Sequence, residues 1–369
     1  MFRCIGAVAL ATAAVAAHAQ AARDAFNPPI SIILQGTFAR SSQDPETYQI
    51  SGFAPSGGEV GPPRRGFSLA ESELVMSGNI DPYFSGWLVA ALTPEDELEV
   101  EEAFIQTLAL GRGFTLRAGR FLSGIGYQNE IHQHAWDFAD APLAYAAFLG
   151  GRLNDDGVQV RWVAPTDLFV ELGAEAGRGR TFPGSDTPKN GSGAGALFGH
   201  LGGDIGAAAW RAGLSHLRTS PVDRESDDAF FTGRSRLWIA DAVVKWGQAF
   251  KIQAEYFRRK ESGELTVDPV TDRYETRQSG WYGQAVYQFM PRWRAGYRHD
   301  RLSRGEVVTP VPVPEHDPSR SALMVDWSPT EFSRFRVQVA SDKSRAGVTD
   351  NQLVLQYVHS LGAHGAHRF

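Results

Sequence analysis

From Ser31 onward, apolar residues alternate with polar or small ones in segments of about ten residues, and turn-forming residues separate the segments. Residues 331–341 show the pattern most cleanly. Phe335, Val337 and Val339 fall on one face of an extended chain, and Arg334, Arg336 and Gln338 fall on the other. One face suits lipid and the other suits water. The same division appears in 167–175, where Leu168, Val170, Leu172 and Ala174 oppose Glu171 and Glu175. It recurs in 251–257, 281–289 and 352–358, while helical periodicity is scarce. A soluble β-sandwich also alternates, so no single segment decides between the two.

Connection lengths decide. Short turns are expected at 80–82, 111–113, 164–167, 203–206, 247–249, 290–292 and 328–330, and long polar connections at 41–66, 122–153, 178–193, 220–233, 261–278 and 305–318. A sandwich has no reason to sort its loops in this way. A barrel across an outer membrane does, with tight turns at the periplasmic end and long loops outside. The expectation is an all-β, transmembrane, antiparallel up-and-down β-barrel of about 16 strands, with 14 or 18 as alternatives, no plug domain, and both termini in the periplasm. Aromatic residues stand beside many of the turns, among them Tyr83, Trp87, Phe114, Trp162, Phe169, Trp210, Trp246, Trp293, Trp327 and Phe332. That placement fits an interfacial girdle. Phe369 ends the chain in the manner of outer-membrane barrels.

Composition narrows the class further. The chain has 369 residues, 43% of them hydrophobic, and past the N-terminus no run approaches the roughly 18 apolar residues of a spanning helix. A formal charge of −6 and a pI near 5.9 offer no basic patch for nucleic acid. Met1-Phe2-Arg3, the Ala/Val-rich run after it and the small-x-small spacing around Ala19 read as a cleaved signal peptide over 1–21, leaving one barrel domain over 22–369. A buried N-terminal helix is the alternative. Export to the outer membrane of a Gram-negative bacterium is therefore expected. Cys4, the single cysteine, leaves with the leader, so no thiolate site or disulfide is expected in the mature chain.

The blocks 101–108, 118–127 (Ala118-Gly119-Arg120-Phe121 onward), 132–143 and 164–173, together with the closing residues 361–369, resemble a family of porin-like outer-membrane proteins. Its members commonly carry the name zinc-regulated TonB-dependent outer-membrane receptor and are distantly similar to phosphate-selective porins. The resemblance implies a porin-like barrel. A TonB-dependent transporter is a 22-stranded barrel around a plug, far longer than this chain, so passive diffusion is the expected mechanism.

The 122–153 connection is the longest and carries unusual apolar surface for a loop, so it is expected to fold into the barrel and narrow the pore. A cap packed on its own aromatics is the alternative. The expected constriction comprises His132, His134, Trp136, Asp137, Asp140 and Tyr145. Two imidazoles and two carboxylates within nine residues are ligand types that suit zinc, with His132 and His134 as the candidate ligands. His364 and His367 form a second, weaker candidate. Ordinary loop histidines are the bland reading of both, and no cofactor is otherwise expected.

If the apolar faces point outward, the pore lining includes Arg117, Arg161, Lys251, Arg292, Arg294, Arg298, Arg334, Arg336 and Gln338, against Glu71, Glu73, Glu171, Glu175 and Glu255. The arginine-rich second half tilts the expectation slightly toward anions, although salt bridges that stiffen the wall would use the same residues. No nucleophile elbow or phosphate loop is present, and the adjacent Ser215 and His216 would face opposite sides of a strand, so no enzyme is expected. The function expected is passive diffusion of small hydrophilic solutes or ions. Zinc-responsive metal uptake and a structural or adhesive surface barrel are the alternatives. Expected partners are outer-membrane lipids, the barrel-assembly machinery and the solutes themselves; a homotrimer would suit a porin, though no residue specifies one.

Overall fold

A computed structural model describes residues 29–53, 60–187, 190–226, 229–310 and 312–362. The first strands are β1 (Ile30–Ser41), β2 (Gly66–Leu69), β3 (Ser72–Asn79), β4 (Phe84–Leu92), β5 (Leu98–Thr107) and β6 (Phe114–Leu122). After a helix, α1 (Leu143–Leu149), come β7 (Asn154–Val163), β8 (Phe169–Gly177), β9 (Ala194–Ile205), β10 (Ala208–Thr219), β11 (Arg224–Ser226) and β12 (Ala229–Trp246). The remainder are β13 (Phe250–Val267), β14 (Val270–Met290), β15 (Trp293–Val308), β16 (Ser319–Thr330), β17 (Ser333–Asp342) and β18 (Asp350–Gly362). These 18 strands form one sheet. β2 and β3 both pair with β1 and make a single broken stave, and the short β11 only extends the top of β12's neighbour, so the barrel has 16 antiparallel staves. It closes where β1 meets β18, in register from Ser31 opposite Gly362 to Ser41 opposite Gln352.

Seven short turns and both ends of the described chain lie at one rim; the other rim carries the remaining connections, most of them longer, with the two-residue turn 268–269 of the β13–β14 hairpin among them. Gly113 shows why the turns are sequence-specific. Its φ is +80°, and a Cβ there would run into the Val163 carbonyl. Three expectations about connections are corrected, the first being 220–233, which holds β11 and the start of β12 at Ala229. The segment 261–278 is no loop, because β13 and β14 continue as a hairpin to Val267 opposite Val270. Its polar character reflects position: above the apolar band the outward residues Lys260, Glu264, Arg273 and Arg277 are charged, while Leu265 and Tyr274 pack inside with Phe231. Likewise β15 runs on to Val308, past the expected loop start at 305.

The outer face carries the apolar alternation. Phe335, Val337 and Val339 are 44–48% exposed outward, while Arg336 and Gln338 are buried inward. At the turn rim a belt of rings crosses from stave to stave: Trp293 to Trp327 (6.0 Å), Trp327 to Phe335 (5.5 Å) and Phe335 to Tyr357 (4.8 Å). A second belt, unforeseen in the sequence, includes Trp238, Tyr256 and Trp281 on the other side of the band. On β12 the two belts stand eight residues apart, about 26 Å along the strand and roughly 20 Å once tilt is allowed for. That approaches the ~25 Å apolar height of an outer-membrane barrel.

The interior departs from a uniformly wet lumen. Leu237, Ile239, Phe257, Tyr282 and Leu302 point inward and enclose an apolar cluster with α1. Period-two alternation assigns a residue to a face, yet several staves are apolar on both faces near the loop, and only the packed loop explains their inner one. The stray arginine is Arg292, which sits exposed at a turn with φ +69° and does not line the lumen.

A charge at mid-band tests the lipid face. Val337→Arg is expected to lower folding stability by about 2–4 kcal/mol in bilayers, measured by reversible urea unfolding. A neutral outcome would show that this face does not meet lipid.

Candidate functional site

The site is the lumen together with the segment that enters it. After β6 the chain turns inward at Ser123 and Gly124, whose hydroxyl and N–H donate to the Glu175 carboxylate at 2.6 and 2.8 Å. The Phe198 ring lies so close over Gly124 and Gly173 that neither position has room for a Cβ. Further in, the N–H groups of Tyr127 and Gln128 donate to Glu255 at 3.1 and 2.9 Å, and the Tyr145 hydroxyl donates to it at 2.9 Å. Asn129 clamps the neck of the loop: its amide donates to the Ser123 and Leu153 carbonyls and its oxygen accepts from the Leu153 N–H.

Helix α1 has every residue buried and packs against β13, β14 and β15. Phe148 stacks on Phe257 at 5.9 Å and meets Phe53 edge-on at 5.7 Å. Gly150, in the left-handed conformation at φ +66°, ends the helix by donating its N–H to Ala146 and turns the chain back toward the wall.

The acidic residues of the loop are each held by two cationic wall side chains. Glu130 is paired with Arg161 and lies 3.7 Å from Arg211. Asp137 is paired with Lys251, with Arg294 at 3.1 Å, and accepts from Gln284 at 3.1 Å. Asp140 accepts from Arg298 at 2.9 Å, from Arg320 at 2.8 Å and from Gln338 at 2.8 Å. Burial pushes these carboxyls up, but the neighbouring cations outweigh it: Glu130 and Asp140 are brought down to about 2, and Asp137 falls well below the usual carboxylate range. Loop carbonyls serve the rest. Arg336 donates to the Trp136 carbonyl at 2.7 Å and Arg334 donates to that of His134.

The histidines meet the opposite sign. His132 Nε2 lies 3.1 Å from Glu102, its Nδ1 lies 3.2 Å from Glu101, and His134 Nδ1 lies 2.7 Å from Glu73. Burial alone would lower the His132 pKa, but the Glu102 and Glu73 carboxylates raise it to about 9. Thus the expected quartet of His132, His134, Asp137 and Asp140 is not one cluster, since the acids turn to the basic arc of the wall and the imidazoles turn to the acidic arc.

The structure places Trp136 and Tyr145 on the same inserted segment, with the Trp136 indole donating to the Ile131 carbonyl at 2.7 Å. Arg117 lines the wall and donates to Gln106 at 3.0 Å, while Glu171 accepts from Arg161 at 3.4 Å and contacts His200 at 2.8 Å. Arg336 and Arg294 share Asp326. Ser215 faces the lumen and His216 faces out against Trp238 at 4.5 Å. His364 and His367, the signal peptide and Phe369 lie outside the described residues. Sequence reasoning passed over Glu101, Glu102, Glu130, Arg152 and Arg320 as site residues. The only signal for the first two was an acidic pair in a strand, whose partners are remote in the chain.

No protein-family model matches the chain. An uncharacterized protein of Aquifex aeolicus (strain VF5) is 31% identical over 381 residues, an alignment that covers 94% of this chain and 80% of the relative. The chain belongs to the family of that Aquifex protein. Solved structures similar to this family member include OmpT of Vibrio cholerae in its trimer form (TM-score 0.56, 12% identity, 91% of this chain and 99% of that one). The outer-membrane channel DcaP of Acinetobacter baumannii (0.57, 12%, 91% and 96%) and an anion-selective porin from Comamonas acidovorans (0.57, 11%, 91% and 99%) are also similar. At these identities the likeness shows the fold of this chain alone, a closed 16-stranded antiparallel barrel like those of outer-membrane porins. It lends nothing to the TonB-dependent half of the name that the sequence resemblance carried.

Removing one member of a buried ion pair costs about 3–5 kcal/mol because it strands the other charge. Asp140→Ala takes the loop's carboxylate from Arg298 and Arg320, which keep Asp300 and Asp342 on the wall, so its cost falls below that figure; the variant is expected to loosen the loop and expose 128–142 to protease in the detergent-folded barrel. Cleavage no faster than in the parent chain would show that these pairs do not seat it.

Proposed function

We propose that the protein is a porin-like channel of the Gram-negative outer membrane, in which 122–153 throttles passive diffusion of small hydrophilic solutes or ions and the basic arc leans it toward anions. The observation that carries this reading is the inserted segment itself. It is anchored to opposite arcs of the lumen by charged and polar contacts, while the outer wall is apolar. The lipids of the outer membrane and its barrel-assembly machinery are the partners that such a wall requires, and the trimer form of the Vibrio neighbour supports a homotrimer. No enzymatic step is part of the proposal.

The anion lean rests on which member of each pair reaches open space. Arg294 is 30% and Lys251 20% exposed, whereas their partners Asp137 and Asp326 are 7% and 1% exposed. Farther along the arc the Asp140 carboxylate, 18% exposed, is more open than Arg298 and Arg320, but beside Arg294 and Lys251 the cation is the member of the pair that reaches open space. A permeating ion therefore meets a positive local field, which favours anions.

Planar-bilayer recording in a potassium chloride gradient tests the reading. The reversal potential is expected on the chloride side, moving toward the potassium side in an Arg294→Glu/Lys251→Glu variant. A folded barrel that does not conduct, either as the parent chain or with the loop loosened by Asp140→Ala, would overturn the channel in favour of a structural surface protein.

A further inference from the structure

Two wall strands and the inserted loop converge on one more feature that conduction does not use. Glu73 on β3, Glu101 on β5 and His132 on the loop bring a ligand atom each to within 4.8 Å of one another, the group of this kind found among the described residues. We infer that Glu73, Glu101 and His132 form a binding site for a divalent transition-metal ion of the zinc type, which staples the loop to the acidic arc of the wall.

Three independent features carry the assignment. The spacing fits: two ligands about 2.1 Å from a tetrahedral zinc stand about 3.4 Å apart, and His132 Nδ1 lies 3.2 Å from Glu101 Oε2 and 3.5 Å from Glu73 Oε2. One ligand is waiting, since Glu73 is 1% exposed and its Oε2 is buried with no hydrogen-bond partner while aimed at this point. Every ligand is also oriented from behind. His134 holds the other oxygen of Glu73, Arg152 pairs with the other oxygen of Glu101, and Glu102 stands against His132 Nε2. A carboxylate on the far nitrogen of a ligating imidazole is a recurrent support of metal sites, because it fixes the ring and strengthens its donor atom.

The chemistry balances simply. The ion takes the Nδ1 lone pair of His132 and one oxygen from each glutamate, any proton on Nδ1 leaves to solvent, and water completes the fourth position. Imidazole with carboxylates suits zinc and its neighbours in the first transition row, whereas a hard ion such as calcium prefers oxygen alone. The inference depends on the loop's place in the lumen and not on whether the barrel conducts.

The test is equilibrium competition for Zn2+ between the full-length, detergent-folded barrel and a chromophoric chelator. A His364→Ala/His367→Ala background removes the C-terminal imidazoles, and heat-modifiable gel migration verifies that each variant is folded. One zinc per chain is expected, with affinity at least about tenfold weaker in His132→Gln and in Glu73→Gln, and about tenfold weaker in the supporting variant Glu102→Gln. Zinc is also expected to slow amide exchange over 128–136 in the parent chain and not in His132→Gln. Equal affinity in the parent and in folded His132→Gln, or zinc bound only when His364 and His367 are present, overturns the site. Because the readouts are binding and exchange, a non-conducting barrel leaves this result interpretable.

Discussion

Everything here follows from closing the sheet. A strand in an apolar surrounding must hydrogen-bond its backbone to neighbours on both sides, and only a closed barrel gives the first and last strands the partner they would otherwise lack. β1 and β18 meet along eleven consecutive residue pairs, Ser31 with Gly362 to Ser41 with Gln352, so neither edge of the sheet is left open. Closure turns the two faces of each strand into an outside and an inside. It also makes the inside a walled space into which a long connection can be drawn.

What fills that space divides into two kinds of contact. On one side of the lumen α1 packs its aromatic and aliphatic residues against Phe257, Tyr282 and Leu302, and burial of apolar surface holds it. Elsewhere the same segment is fastened by ions: Glu130, Asp137 and Asp140 to arginines and a lysine, His132 and His134 to glutamates. Apolar contact alone would let the segment slide. Charged pairs cost desolvation and add little net stability, yet they penalise any misplacement heavily, so they set where the loop sits. The seat takes its direction from where the partners stand, with Asp137 and Asp140 meeting cations on β13, β15 and β16 and the imidazoles meeting glutamates on β3 and β5.

Much of the wall could be read directly. In 331–341 the faces fall as alternation demands, with Phe335, Val337 and Val339 outward and Arg336 and Gln338 inward, and most short turns lie where proline, glycine and aspartate cluster. The segment 261–278 misled because its charges signalled a loop, whereas they mark strands that have risen above the apolar band. Arg292 misled for the opposite reason, being a turn residue that shares the composition of its pore-lining neighbours. In the loop the residue types were legible and their partners were not. Asp140 meets arginines 158 and 180 positions away, and His134 meets a glutamate 61 positions before it.

The chain by itself therefore determined the class of fold, the sidedness of most strands and the choice of 122–153 as the segment that matters, because alternation, turn residues and loop length are local properties. Only the tertiary structure decided that the interior is partly dry, that the loop's acids and imidazoles part company, and that Glu73 and Glu101 flank His132. Those facts depend on which staves stand opposite the loop, and that is set by the barrel's register and closure, which no local stretch of sequence contains.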